Sequence, residues 1–293
     1  MLKSINAVTF SVSNFDASCA ALEAYFGYRR ITEGLVDESL AEFWGAPRVS
    51  GARYGVFGPA SGEPVHVRFV EQPPTPGYTP LGSYGWNAAE LHVRDIYDLV
   101  DTLSDSPFEI IGGPRDLLGN GTAVALQVKG PSAEVFYLTE INGENMQRTY
   151  GKAESDVGRL FIAVLGASDH QTTRQFYSPL TKGTPRPRRI PIRVLAAAHG
   201  LDPMTTQFPI GSAVLESQFR IEIDGYPESA IDRPVLDGFL PPGLCMVSFN
   251  ARDPNDVAVD PIATAAVFDA PPYSARPARM LQGPDGEWLE LIS

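Results

Sequence analysis

The chain predicts an α+β fold made of two related halves, on three observations. Short alternating segments run strand, helix, then strands, twice over, and the same order resumes later in the chain. A short motif recurs, Leu40–Gly45 (LAEFWG) against Leu195–Gly200 (LAAAHG), each followed at similar spacing by an alternating strand that carries an arginine, Arg68 or Arg220. Between the halves, Asn142–Asp156 is polar and contains glycine, as an interdomain linker does. The expected domains are 1–145 and 156–293.

Ile5–Val12 reads as a half-buried strand, and Asp16–Phe26 has helical spacing that ends at Gly27, a C-cap residue. Val65–Val70 alternates, with Val65, Val67 and Phe69 on one face and His66, Arg68 and Val70 on the other. After a Pro/Gly-rich connection, Gln72–Gly85, come a strand (Ala88–Val93), a helix (Ile96–Leu103) and two more strands (Ala123–Val128 and Glu134–Thr139). In the second half Leu160–Leu165 is a strand and Gln171–Tyr177 is helical. Gln218–Asp224 and Leu244–Asn250 alternate, and GPDGEWLELI closes the chain with a turn and a strand.

With 23 Lys+Arg against 35 Asp+Glu, the net charge of −12 argues against a nucleic-acid footprint. Arg186, Arg188 and Arg189 form a local basic stretch, but prolines interrupt it and it reads as a solvated loop. Cys19 and Cys245 belong to no CxxC pair and read as buried small hydrophobes of a reducing compartment. The N-terminus lacks a signal-peptide core, and no apolar run reaches bilayer-spanning length, so a cytoplasmic location is expected. No phosphate-binding loop, dinucleotide fingerprint or nucleophile elbow is present.

The opening INAVTFSVSNFDAS, the FGYRRI that closes the first helix, AAELHVRDIYDLVDTL, the GGP at Gly112–Pro114 and the terminal GPDGEWLELI together resemble the vicinal-oxygen-chelate superfamily. That group includes glyoxalase I, bleomycin-resistance proteins and type I extradiol dioxygenases. The resemblance covers nearly the whole chain. It implies two glyoxalase-like domains, each a pair of βαβββ modules forming curled mixed sheets around a cavity. It also implies a divalent metal held by His on the first strand of each module and Glu on the last strand of the domain. Those positions fall here on Ala7, Ala88 and Tyr137, and on Ile162, Met246 and Glu290. Only Glu290 has strong ligand chemistry, so neither the metal nor another cofactor is expected.

If Ala88 points into a cavity, strand parity sends Glu90 and His92 inward too, along with Thr9, Ser11, His66, Arg68, Tyr137 and Thr139. Polar groups so placed need partners, which makes a purely structural sheet costly. Taken singly, either histidine reads as a satisfied or solvent-facing residue. Taken together they suggest a pocket. His92, His66, Glu90 and Tyr137 are the expected catalytic groups, and Arg68, Thr9, Trp44 and Trp86 the substrate contacts. A metal site from His66, Glu90 and His92 is an alternative.

The second half offers Ser248, Asn250, Arg220, Glu222 and Glu290, with His199 on a loop, and reads as scaffold. The expected function is metal-independent acid/base chemistry, as a lyase or isomerase, on a small anionic aromatic or carbonyl compound. A sequestering protein and a dioxygenase with relocated ligands are the alternatives. The expected partner is a small-molecule substrate, with neither nucleic acid nor membrane; a homodimer is compatible with the sequence.

Overall fold

Four modules follow one another along the chain. The first holds β1 (Leu2–Val12), α1 (Phe15–Phe26), β2 (Arg29–Leu35), α2 (Glu38–Phe43), β3 (Arg53–Gly58) and β4 (His66–Glu71). The second holds β5 (Gly85–Val93), α3 (Ile96–Leu103), β6 (Glu109–Asp116), β7 (Ala123–Lys129) and β8 (Val135–Ile141). After α4 (Glu144–Tyr150), the third holds β9 (Val157–Ala167), α5 (His170–Tyr177), β10 (Arg188–Ile190), α6 (Arg193–Ala198), β11 (Phe208–Val214) and β12 (Arg220–Gly225). The fourth holds β13 (Gly243–Ala251), β14 (Pro261–Val267), β15 (Pro277–Gln282) and β16 (Trp288–Ile292). The structure, a computed structural model, describes residues 1–254, 257 and 261–293.

Each module's first strand feeds its helix through an Asx cap in three of the four cases. Asn14 accepts from the Ala17 amide, Asp95 from those of Tyr97 and Asp98, and Asp169 from those of Gln171 and Thr172. Helix α1 ends where Gly27 adopts φ +65, the left-handed geometry that stops a helix.

Two eight-stranded sheets result. The first runs β14-β15-β16-β13-β1-β4-β3-β2 and the second β10-β11-β12-β9-β5-β8-β7-β6. In each, two modules meet at an antiparallel seam between their first strands, β1 with β13 and β5 with β9. Module one therefore pairs with module four, and module two with module three. This corrects the expectation that modules one and two share a concave surface. The physical cause lies in the connections. Residues 72–84 and 226–242 contain proline, cannot extend a ladder, and carry the chain from one sheet to the other. The two crossovers pair with each other at Ser83 and Ile231. The segment expected as a linker instead joins two modules of the same sheet. It carries α4, whose last carbonyls, of Gln147 and Arg148, accept from the Gln218 amide.

The largest core lies between the convex faces of the sheets and the helices. Phe10 of β1 meets Phe136 of β8 at 5.0 Å, and Phe26 stacks on Phe108 at 4.5 Å. Ala89, Leu91 and Val93 point into this core, as the alternation required. The concave faces hold separate clusters, one around Trp44, Met246 and Tyr273, the other around Ala88, Tyr137, Ile162 and Val164. The repeated motif ends a short helix in each half: LAEFWG ends α2 and joins the first of these clusters, and LAAAHG ends α6, whose Leu195 and Ala196 pack with Phe208 and Tyr226. Among the described residues no helix is long and apolar enough to cross a membrane.

Candidate active site in the second sheet

The concave face of the first sheet is filled. Arg68, on β4, is 1% exposed and donates to Thr9 Oγ1 (2.8 Å), Tyr273 Oη (3.0 Å) and Glu290 Oε2 (3.2 Å). Its guanidinium lies 4.7 Å from the Trp44 ring. Trp44 Nε1 donates to Tyr273 Oη (2.9 Å) and Glu290 Oε1 (3.2 Å), and Ser248 and Tyr273 also donate to Glu290. Burial opposes the charge on Arg68, but the facing Tyr273 and Glu290 oxygens outweigh it and raise its pKa. Every polar end in this network is engaged, which describes a lock rather than a receptor.

The second sheet keeps an open cavity of about 330 Å³. Its floor is Glu90 on β5, Tyr137 and Thr139 on β8 and Glu222 on β12, and Ile190–Val194 roofs it. Strand register sets this floor: Glu90 pairs with Tyr137 on one side and Ile162 on the other, and Glu222 pairs with Val164. Thr139 donates to Glu90 Oε1 at 2.6 Å. Burial pushes the Glu90 carboxyl up to about 7, against the Thr139 hydrogen bond. Burial first, then the charges of Asp224 and Glu90, hold Glu222 well above the ordinary carboxylate range. Asp224, buried beside them, rises to about 8 for the same two reasons, burial and Glu90. Arg115 and Arg193 line the same cavity, and burial, then the nearby Arg193 charge, lowers the pKa of Arg115.

Gly113 lets β6 pass close beneath this cavity. It sits at φ +86, where an added Cβ would lie 2.4 Å from the Ala125 carbonyl oxygen. Gly113→Ala is expected to lower stability by about 1–3 kcal/mol, read as a drop in the urea midpoint. Gly119→Ala, at φ +73 with nothing within 4 Å, should cost less.

Of the residues expected from sequence, Glu90 and Tyr137 meet in this cavity. Arg68, Thr9 and Trp44 belong to the lock in the other sheet, and so do not line it. His66 starts β4 in that first sheet, opposite Ala7 and half-buried, with burial lowering its pKa. His92 is fully buried and stacks on Phe161 at 3.8 Å. Burial, then the Arg159 charge, takes its pKa down to about 3, which favours the neutral ring. The cause is a bulge. Glu90 pairs with Ile162 while Leu91 pairs with Leu160, so Phe161 is the extra residue that fills the space over His92.

Trp86 lies between the sheets and donates to the Trp288 carbonyl at 2.8 Å. It borders a seam cavity in which Asp285 is bonded to Ser168 and Thr173, and Glu287 to Tyr177. His199 is held by Ser229 and the Leu81 carbonyl. Arg115 and Arg193 were not foreseen, although they adjoin the GGP and LAAAHG motifs.

Paired modules with first strands at the seam and a cavity in the concave face define the vicinal-oxygen-chelate fold. No family model matches the sequence, and no curated protein matches it. Among solved structures, a "putative dioxygenase" from Bacillus subtilis has a TM-score of 0.62 at 12% identity, over 99% of this chain and 85% of that one. Glyoxalase I from Zea mays has a TM-score of 0.61 at 13% identity, over 99% of this chain and 92% of that one. At such identity the likeness concerns the fold.

The metal that this fold implies does not fit the residues present. In the first sheet the Arg68 guanidinium occupies the cation's place beside Glu290, and the aligned Ala7 has no donor atom. In the second, Ala88 and Ile162 have none, and burial raises the pKa of the Glu222 and Asp224 carboxyls, which disfavours the charged form a cation needs. Among the described residues no group of three His, Cys, Asp or Glu is placed to hold a metal ion.

Proposed function

We propose that the protein is a metal-independent proton-transfer enzyme, a lyase or isomerase, that works in the cavity of the second sheet on a small anionic carbonyl or aromatic compound. The observation that carries this reading is the pairing of Glu90 and Glu222 on the cavity floor beneath two guanidiniums, Arg115 and Arg193. A base is most effective with a pKa near the working pH, and the Glu90 carboxyl at about 7 meets that condition. Arg115 and Arg193 bind the anionic group of the substrate. Glu90, oriented by Thr139, takes a proton from the carbon beside the substrate's carbonyl. Tyr137, on the same floor, donates to the oxyanion that develops. Glu222, whose burial favours the protonated form, returns a proton to the product.

Hydrogen–deuterium exchange tests this directly. Small 2-oxo and 3-oxo carboxylates are incubated with the protein in D2O and followed by proton NMR. At least one should exchange faster than its enzyme-free control, and Glu90→Gln should slow that exchange by about 10²–10⁴-fold. Saturable binding without exchange, equal in wild type and Glu90→Gln, would favour a sequestering role instead.

A further inference from the structure

We infer that the site takes an elongated ligand with an anionic group at each end, one held by Arg115 and Arg193, the other by Arg188 and Arg220. The inference rests on the reading of the second-sheet cavity given above. A second cavity of about 230 Å³ adjoins the first, and the two share Ile210 and Glu222. Arg188 and Arg220 line it, with Arg186 at its rim.

Register explains the juxtaposition. Arg188 on β10 pairs with Ile210 on β11, and Arg220 on β12 pairs with Ile162 on β9, so both flank the neck formed by Ile210 and Glu222. The Arg220 guanidinium lies 4.6 Å from the Tyr150 ring, and its buried Nε has no hydrogen-bond partner. None of Arg115, Arg186, Arg188, Arg193 and Arg220 is in an ion pair among the described residues.

In a chain of net charge −12, acidic partners for surface arginines are plentiful. Five arginines around two joined cavities, none in a close ion pair among the described residues and only Arg188 acting at longer range on Glu222, therefore point to ligand charge as the missing partner. Their division into two groups, with the carboxyls of Glu90 and Glu222 between them, matches a ligand charged at both ends with its reacting carbon in the middle. Planar guanidinium forks suit carboxylate and phosphate alike, so the shared feature is an oxyanion at each end.

Calorimetric titration of the full chain tests this with α,ω-dicarboxylates from three to eight carbons and the monocarboxylates of matching length. The expected result is one preferred length at which the dicarboxylate binds at least about tenfold tighter than its monocarboxylate, the factor that one charged contact supplies. Arg220→Met should reduce the dicarboxylate to the affinity of the monocarboxylate. So should Arg188→Met, at an exposed position where folding is not at risk.

ω-Phosphonocarboxylates of the preferred length then show whether the distal group is carboxylate or phosphate. Equal affinity of the two series at every length, or a dicarboxylate preference untouched by both variants, would overturn the inference. Monocarboxylate binding that falls in Arg115→Met would, in that case, leave the underlying reading standing. Absence of binding by either series would sink both.

Discussion

Arg68→Met should destabilise the protein by about 3–5 kcal/mol, because it leaves the Glu290 carboxylate buried without its cation. Glu290 is 0% exposed, and Arg68 is its only ion-pair partner among the described residues. Ser248, Tyr273 and Trp44 would still donate to it, but they supply dipoles rather than a charge. Methionine keeps much of the volume of the Arg68 stem, so packing loss is kept small. Glu290→Gln should also destabilise, since it leaves the guanidinium without its counter-charge.

The double variant is the sharper measurement. Arg68→Met with Glu290→Gln should lose clearly less than the sum of the single losses, because each substitution removes the charge that the other strands. Urea unfolding of the four proteins gives the coupling. Additive losses would mean that the pair is not the element that holds the first sheet closed. A fall in exchange activity of Arg68→Met while the fold is intact would put function in the first sheet after all.

A second large effect is that stability should fall as pH rises from about 5.5 to about 8.5, the reverse of the usual behaviour of salt-bridged carboxylates. The carboxyls of Glu90, Asp224 and Glu287 stand at about 7, 8 and 8 in the folded protein, and Glu222 is raised as well. Burial is the first cause in each. A group whose folded pKa is raised binds its proton more tightly folded than unfolded. Its stabilising contribution is whole below the unfolded pKa, 4.5 for Glu and 3.8 for Asp, and is lost as pH climbs through the folded value.

For Glu90 the interval from 4.5 to about 7 corresponds to about 3 kcal/mol at 1.36 kcal/mol per unit. Glu90→Gln should therefore flatten the slope and be more stable than wild type at pH 8.5, while losing the exchange activity. Such a trade is expected where a site is kept for chemistry at a cost in stability. Equal stability of the wild type at the two pH values, or an unchanged slope in Glu90→Gln, would show that the cavity carboxyls are not held as described.

The sequence by itself determined the module grammar. First strands such as Ala88–Val93 are buried on both faces or alternate cleanly, and helices such as Ile96–Leu103 begin at an Asp cap and keep one apolar stripe, so local pattern suffices for them. The alternation also placed Glu90 and Tyr137 on the concave side. Strands β2 and β6 were not legible. One is mostly exposed along RRITEGL, the other contains Gly112, Gly113 and Pro114, and pairing with a neighbour holds them straight where composition does not.

Tertiary structure alone decided which module meets which. No local pattern says whether a Pro-rich connection returns the chain to its own sheet or carries it to another, yet that choice set Arg68 against Glu290 rather than Glu90. It set Glu222 in the cavity with Glu90 across the β5–β9 seam. It also turned Arg188, within a stretch that reads as a solvated loop, toward that cavity's neighbour. The fate of His92 hung on one inserted residue: parity along β5 keeps it on the concave side, but the extra Phe161 at the bulge in β9 fills the space over it.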